Sequence, residues 1–257
     1  MQLRTLITGC STGIGRALAL ELTRRGHEVI ATARRLEALS DLPVAHRLAL
    51  DVTSEASISA AVAAAGHIDV LVNNAGVGIW GPVEATSLED VQRVFDTNVY
   101  GPLRMMRAVL PQMRMRGSGA VLQVSSAAGR FTGPLVGIYA ASKHALEAYS
   151  EAMRIELASF GVRMIIVEPG AVESAFPQNR TSAASGAYEE IVQHFTRRLM
   201  ANRTAATSSE LVAARIAAIL EEPTPRLRYA VTADAELFID ARRKQSDEEW
   251  ERQQLAN

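Results

Sequence analysis

The chain has 257 residues, 48% hydrophobic and 21% charged, with 27 basic against 28 acidic side chains and a formal net charge of −1. That length and composition suit one globular α/β domain, and the balanced charge leaves no field to draw the chain to nucleic acid or anionic lipid. A single cysteine, Cys10, excludes an internal disulfide framework and a cysteine-based zinc site, and no apolar run reaches the roughly 18 residues of a membrane span.

The N-terminus, MQLRTLITG, enters an apolar run with no charged leader before it, so a soluble cytoplasmic protein is expected. Leu3 to Thr8 reads as a strand and Arg16 to Arg25 as a helix stopped by Gly26. Strands follow at His27 to Thr32 and Ala45 to Leu50, then an Ala-rich helix at Ser54 to Ala65 and a strand at Ile68 to Val72. Ser87 to Met115 carries one long helical pattern, with Pro102 and Pro111 as kink or boundary points. Ala120 to Ser125 is a fifth strand, Tyr139 to Phe160 a long helix and Val162 to Val167 a sixth strand. Apolar runs with few polar breaks, alternating with helices, predict a doubly wound parallel sheet with helices on both faces.

Regularity stops at Pro169-Gly170. The segment 171–207 is mixed, with a short helical pattern near Tyr188 to Met200, and reads as a substrate lid. A helix over Ser208 to Leu220, an edge strand over Leu227 to Thr232 and a charged, solvated terminal helix over Asp240 to Gln254 complete one domain spanning residues 1–257.

Three local patterns carry chemistry. Thr8-Gly9-Cys10-Ser11-Thr12-Gly13-Ile14-Gly15 lies between the first strand and first helix, where missing side chains let backbone N–H groups approach a dinucleotide pyrophosphate. The same loop could be only a strand–helix turn. The second strand ends Ala31-Thr32-Ala33-Arg34-Arg35, without the acid that would accept bonds from a ribose; Arg34 suits a 2′-phosphate and predicts NADP(H) over NAD(H), against the alternative of a solvated arginine pair. The third pattern is Tyr139 and Lys143, four apart and so on one helix face. Only two lysines occur among the 27 basic residues, and one is Lys143. A neighbouring ammonium is expected to lower the phenol's pKa toward working pH. Ser125 and Ser126 end the preceding strand, where a hydroxyl can hold a developing oxyanion or simply cap the strand.

Together with LDVTS at 50–54, NNAG at 73–76, DTNVYG around Asn98 and EPGAVES at 168–174, these patterns resemble the short-chain dehydrogenase/reductase family in its single-domain form. The resemblance implies a Rossmann-type sheet of about seven strands and an NAD(P)-dependent oxidoreductase. It implies a catalytic set of Asn98, Ser126, Tyr139 and Lys143. It implies cofactor contacts from Gly9, Ser11, Thr12, Gly13, Ile14, Gly15, Arg34, Asp51, Val52, Asn73, Ala75, Gly76, Tyr139, Lys143, Pro169, Gly170, Val172 and Ser174, with no metal. Cys10 holds a variable, redox-inactive position of the loop. ATARRLEAL and RLRYAVTADAELF resemble the branch with 17β-hydroxysteroid and retinol dehydrogenases, implying a small carbonyl or alcohol substrate, steroid- or retinoid-like. A 3-oxoacyl, sugar or polyol reductase and a non-catalytic cofactor sensor are the alternatives. Phe131, Leu135, Phe176, Tyr188, Phe195 and Met200 are the candidate pocket residues. The long helices at 87–115 and 139–160 resemble the pair that builds family homodimers and homotetramers.

Overall fold

A computed structural model of the chain describes residues 2–174, 180–182, 186–202 and 206–256. β1 (Arg4–Ile7) leads into α1 (Gly13–Arg24), followed by β2 (Glu28–Ala33), β3 (His46–Ala49), α2 (Glu55–Ala65), β4 (Val70–Asn73) and β5 (Gly78–Trp80). Then come α3 (Leu88–Phe95), α4 (Gly101–Arg116), β6 (Gly119–Val124), α5 (Gly137–Glu156) and β7 (Val162–Glu168). The last third holds β8 (Val172–Glu173), β9 (Arg180–Ser182), α6 (Glu189–Asn202), β10 (Thr207–Ser208), α7 (Ser209–Glu221), β11 (Arg228–Ala230), α8 (Ala233–Lys244) and α9 (Asp247–Ala256).

Seven strands pair in the order β3-β2-β1-β4-β6-β7-β11, every neighbour parallel. Successive residues along a strand point to opposite faces. Ile7, Val72, Leu122 and Ile165 accordingly join α1 and α7 in one apolar cluster. Their neighbours Leu6, Leu71, Val121 and Met164 join α2, α4 and α5 in the other. Each fully buried leucine or isoleucine contributes about 1.5–3 kcal/mol, so these two clusters, rather than helix propensity, fix the layers. The chain runs outward from β1 in both directions, and the switch between β1 and β4 opens a crevice at the strands' carboxyl ends.

The expected long helix at 87–115 is broken. α3 and α4 are separated by one π turn at Asp96–Tyr100, while Pro111 sits inside α4. Pro102 falls in the first turn of α4, where its missing N–H leaves no bond unmade. The break is therefore tied to Asn98, whose amide is pinned sideways. Its oxygen accepts from Val77 N–H at 2.9 Å, and its nitrogen donates to Val77 O at 2.9 Å and Ser142 Oγ at 3.1 Å. Segment 171–207 also contains unforeseen order: β8 pairs with β10, and β5 with β9.

The single terminal helix is a second correction, although most of the region is exposed as expected. The region forms α8 and α9, started anew by Ser246, whose hydroxyl accepts from Glu249 N–H at 3.2 Å while the Glu249 carboxylate accepts from Ser246 N–H at 2.8 Å. Trp250 of α9 packs its ring 5.6 Å from that of Phe131, which also meets Phe238 of α8 at 5.8 Å.

Candidate active site

A cavity of about 1320 Å³ lies at the crevice, larger than the 300–1,000 Å³ typical of small-ligand sites. Gly9, Ser11, Thr12, Gly13 and Ile14 line one part; Arg34, Asp51, Val52, Ala75 and Gly76 line another. Ser126, Tyr139, Lys143, Pro169, Gly170, Val172 and Ser174 face the same space. The expected Gly15, Asn73 and Asn98 do not line it.

Each exception has a physical reason. Gly15 lets α1 press onto the loop: a Cβ there would lie 2.3 Å from Asn74 Nδ2 and 2.5 Å from Gly9 O. Asn73 is the last residue of β4, and its buried side chain finds no hydrogen-bond partner among the described residues. The next residue, Asn74, lines the cavity and ties the loop to β4. Its amide donates to Thr8 O at 2.8 Å and Gly9 O at 3.1 Å, and its N–H and that of Ala75 donate to Thr8 Oγ1 at 2.9 and 3.0 Å. The signal was present in NNAG; which asparagine turns toward the loop depends on where the strand ends. Asn98 stands behind Gly76, its Oδ1 3.3 Å from where a Gly76 Cβ would be.

The loop fits a dinucleotide's phosphates. Gly9 and Gly13 have φ of +75° and +60°, a region other residues rarely enter, and a Cβ on Gly9 would stand 2.9 Å from Ala75 Cα. Thr12 caps α1 without a side-chain bond, and no acid occupies the first turn, so the helix start presents N–H groups suited to an anion. Arg34 is exposed at the rim and makes no hydrogen bond or ion pair among the described residues. Burial would raise the Asp51 carboxyl, but the Thr53 N–H and hydroxyl, with Arg34, hold it below its usual range. Cys10 is fully buried; burial pushes its thiol up to about 12, and its Sγ lies 3.3 Å from Ile7 O.

At the other end, α5 presents Tyr139 and Lys143. Lys143 Nζ donates to Val124 O at 2.9 Å and lies 5.8 Å from the Tyr139 ring centroid. The expected lowering of the phenol is not found. Burial pushes Tyr139 up to about 12, against the lowering effect of a hydrogen bond with Ser126. Burial likewise depresses Lys143 to about 8, with Glu147 pulling the other way. Desolvation thus outweighs the favourable contacts at both groups. Ser126 Oγ accepts from Ala128 N–H at 3.1 Å, whereas Ser125 turns inward and donates to Glu147 at 2.8 Å. The Pro169–Ala171 segment is clamped by two residues not foreseen. Thr232 Oγ1 accepts from Gly170 N–H at 2.8 Å, and Asp234 accepts from Ala171 N–H at 2.7 Å.

Among the candidate pocket residues, Phe131 and Phe195 line the cavity, with Trp80 5.5 Å from Phe195. Leu135 and Tyr188 do not. Leu135 turns through φ of +66° ahead of α5, and the Tyr188 hydroxyl donates to Glu84. Phe176 and the side chain of Met200 lie outside the described residues. Phe238, Trp250 and Gln254 take part instead. No helix among the described residues is long and apolar enough to cross a membrane.

Residues 4–185 match the sequence model of a family described as short chain dehydrogenase. The mouse 17-beta-hydroxysteroid dehydrogenase type 1 is 38% identical over 250 residues, covering 88% of this chain and 73% of that protein. Bovine retinol dehydrogenase 8 is 41% identical over 185 residues, covering 66% of this chain and 59% of that protein. A short-chain dehydrogenase from Streptomyces avermitilis superposes with a TM-score of 0.86 at 37% identity, covering 95% of this chain and 92% of that one.

Proposed function

As a member of the short-chain dehydrogenase/reductase family, near the hydroxysteroid and retinol dehydrogenases, the chain is an NAD(P)-dependent oxidoreductase, and we propose that it uses NADP(H) to interconvert an apolar ketone or aldehyde with its alcohol. What carries the reading is the convergence of Ser126, Tyr139 and Lys143 on the cavity that also receives the glycine loop.

The loop residues Gly9, Ser11, Thr12, Gly13 and Ile14 would hold the phosphates. Asp51, Val52, Ala75 and Gly76 would flank the adenosine, and Pro169, Gly170, Val172 and Ser174 the nicotinamide, which when bound supplies or takes up the hydride. Ser126 and Tyr139 hold the substrate oxygen, and the Tyr139 hydroxyl gives or takes the proton. Lys143 stands ready for the ribose and for the phenol. Asn98 braces this group through Val77 and Ser142 rather than from the cavity wall. The whole chain serves as one domain, with segment 171–207 as its lid. α4 and α5 are read as the faces of a homodimer or homotetramer, since Leu103, Met115 and Ile155 stand exposed on them. A cytoplasmic location fits this reading.

Arg34 supports NADP(H), because an exposed guanidinium at the rim matches a 2′-phosphate in geometry and sign. Arg34→Ser is expected to weaken NADPH roughly 10- to 100-fold, the worth of one charge-assisted contact, and to leave NADH nearly unchanged. Fluorescence titration of both cofactors measures it; tighter NADH binding by the wild type would remove the assignment.

The aromatic wall of Phe131, Phe238 and Trp250 supports a bulky apolar substrate. In a panel of ketosteroids, retinal, acyl thioesters, sugars and polyols followed by NADPH absorbance, the first two should turn over best. Trp250→Ala should then raise their KM about tenfold while leaving NADPH affinity unchanged. Preference for acyl thioesters or sugars would favour the alternative substrate classes, and cofactor binding without turnover would leave a sensor.

A further inference from the structure

Two glutamates are enclosed beside the catalytic residues, and neither lines the cavity. Glu147 is one helical turn beyond Lys143 on α5 and is 2% exposed; Glu168 ends β7 and is 3% exposed. Glu147 Oε1 accepts from Ser125 Oγ at 2.8 Å, and its Oε2 accepts from Arg228 Nε at 3.0 Å, with Arg130 at 3.6 Å. Glu168 Oε1 lies 3.7 Å from Arg228 and 3.8 Å from Arg130, without a hydrogen-bond partner among the described residues. Arg228 also reaches Glu151 at 2.6 Å. Gly129 closes over the group: a Cβ there would stand 2.4 Å from Glu147 Oε1 and 2.7 Å from Ser125 Oγ.

Buried carboxylates are costly, and an apolar replacement of equal volume is often more stable. Here they join the elements next to the proposed proton donor and the nicotinamide segment. β6 brings Ser125, the following turn Arg130, α5 Lys143 and Glu147, β7 Glu168 just before Pro169, and β11 Arg228. Burial, then the Glu147 carboxylate, push the Glu168 carboxyl up, against both arginines. Glu147 stands one helical turn from Lys143 on the same helix, and its charge opposes the lowering that burial imposes on the Lys143 ammonium.

Resting on the reading of this cleft as a reductase site, we propose that Glu147 is a positioning residue, locking the Ser125–Ser126 end of β6 to α5 and supplying the negative charge against which the Lys143 ammonium is held. Glu168, Arg130 and Arg228 complete the enclosure that keeps that carboxylate in place.

The test uses the scarcity of lysine. Lys143 and Lys244 are the only lysines in the chain, so the full chain labelled with 13Cε-lysine gives two signals whose midpoints can be followed with pH. Lys143 should titrate near 8 in the wild type. In Glu147→Gln its midpoint should fall by roughly one unit, with Lys244 unmoved, and Glu147→Asp should recover most of the shift. Arg228→Gln should raise the Lys143 midpoint, and it carries the test with opposite sign should Glu147→Gln not fold. An unmoved Lys143 midpoint in Glu147→Gln, an aspartate variant displaced as far as the glutamine one, or no rise in Arg228→Gln would overturn the proposal. The titration needs no substrate, so a wild type that reduces no carbonyl would remove the reductase reading while the charge coupling of Glu147 to Lys143 is still decided by the midpoints.

Discussion

Replacing Tyr139 by phenylalanine should lower kcat by about 10³-fold, within the 10²–10⁴ range of positioned acid–base catalysis, while NADPH binds within about threefold of wild type. The phenyl ring keeps the packing on α5 and loses only the hydroxyl that Ser126 engages. The pH dependence has a definite sign. A phenol pushed up to about 12 is protonated throughout the neutral range, which suits donation to a carbonyl oxygen. Removing a proton from an alcohol needs the phenolate, so the oxidative rate should climb with pH above 7 more steeply than the reductive rate. Initial rates in both directions from pH 6 to 10 measure this. Turnover by the phenylalanine variant at the wild-type rate would dismiss the mechanism.

Lys143→Met should cost activity on a similar scale and change stability in the opposite sense. The folded chain holds Lys143 near 8 against an ordinary 10.5. Between those values the unfolded chain binds more protons, so stability attributable to this group rises with pH across the window and its cost is full below about 8. Methionine removes that cost, which is at most about 3 kcal/mol for a shift of this size. The variant's Tm relative to wild type should therefore be higher at pH 7 than at pH 10, even though turnover is lost. Paired thermal melts at the two pH values check it; a difference independent of pH would mean that Lys143 is not depressed by burial. Lys143→Arg should not rescue activity, since a planar fork cannot take the place of an ammonium seated on the Val124 carbonyl.

The strands of the main sheet through β7, and most of the helices between them, were legible because their apolar runs and 3.6-residue patterns are local properties; the short β5 and the π turn between α3 and α4 were not. The glycine loop and the Tyr139–Lys143 spacing were legible too, since helix geometry alone brings i and i+4 together. Other features depend on what arrives from far along the chain. Tyr139 was expected to be acidified by its neighbour, yet the protein around it sets the sign. The terminal region was read as one solvated helix from its charge, although SDEE at 246–249 spells a capping box that starts a second helix and Trp250 offered an anchor. Asn74 was passed over for Asn73 because one residue of strand length decides which amide meets Thr8 and Gly9. Nothing local marked Glu147; its enclosure emerges only when Ser125, Glu168 and Arg228 are brought around it by β6, β7 and β11.

Two rings of the aromatic wall, Phe238 and Trp250, sit on α8 and α9, and α8 reaches the body through Ala235 and Ile239 packed on Ala127 and Phe131. The proposed substrate wall thus takes two of its three rings from the C-terminal helices and the third, Phe131, from the stretch between Ser126 and Tyr139. Grafting residues 235–256 from another family member, with Asp234 kept to hold the Ala171 N–H, should exchange ligand preference while leaving the proton donor and its supports intact, making this corner the place to begin directed evolution toward new ketones.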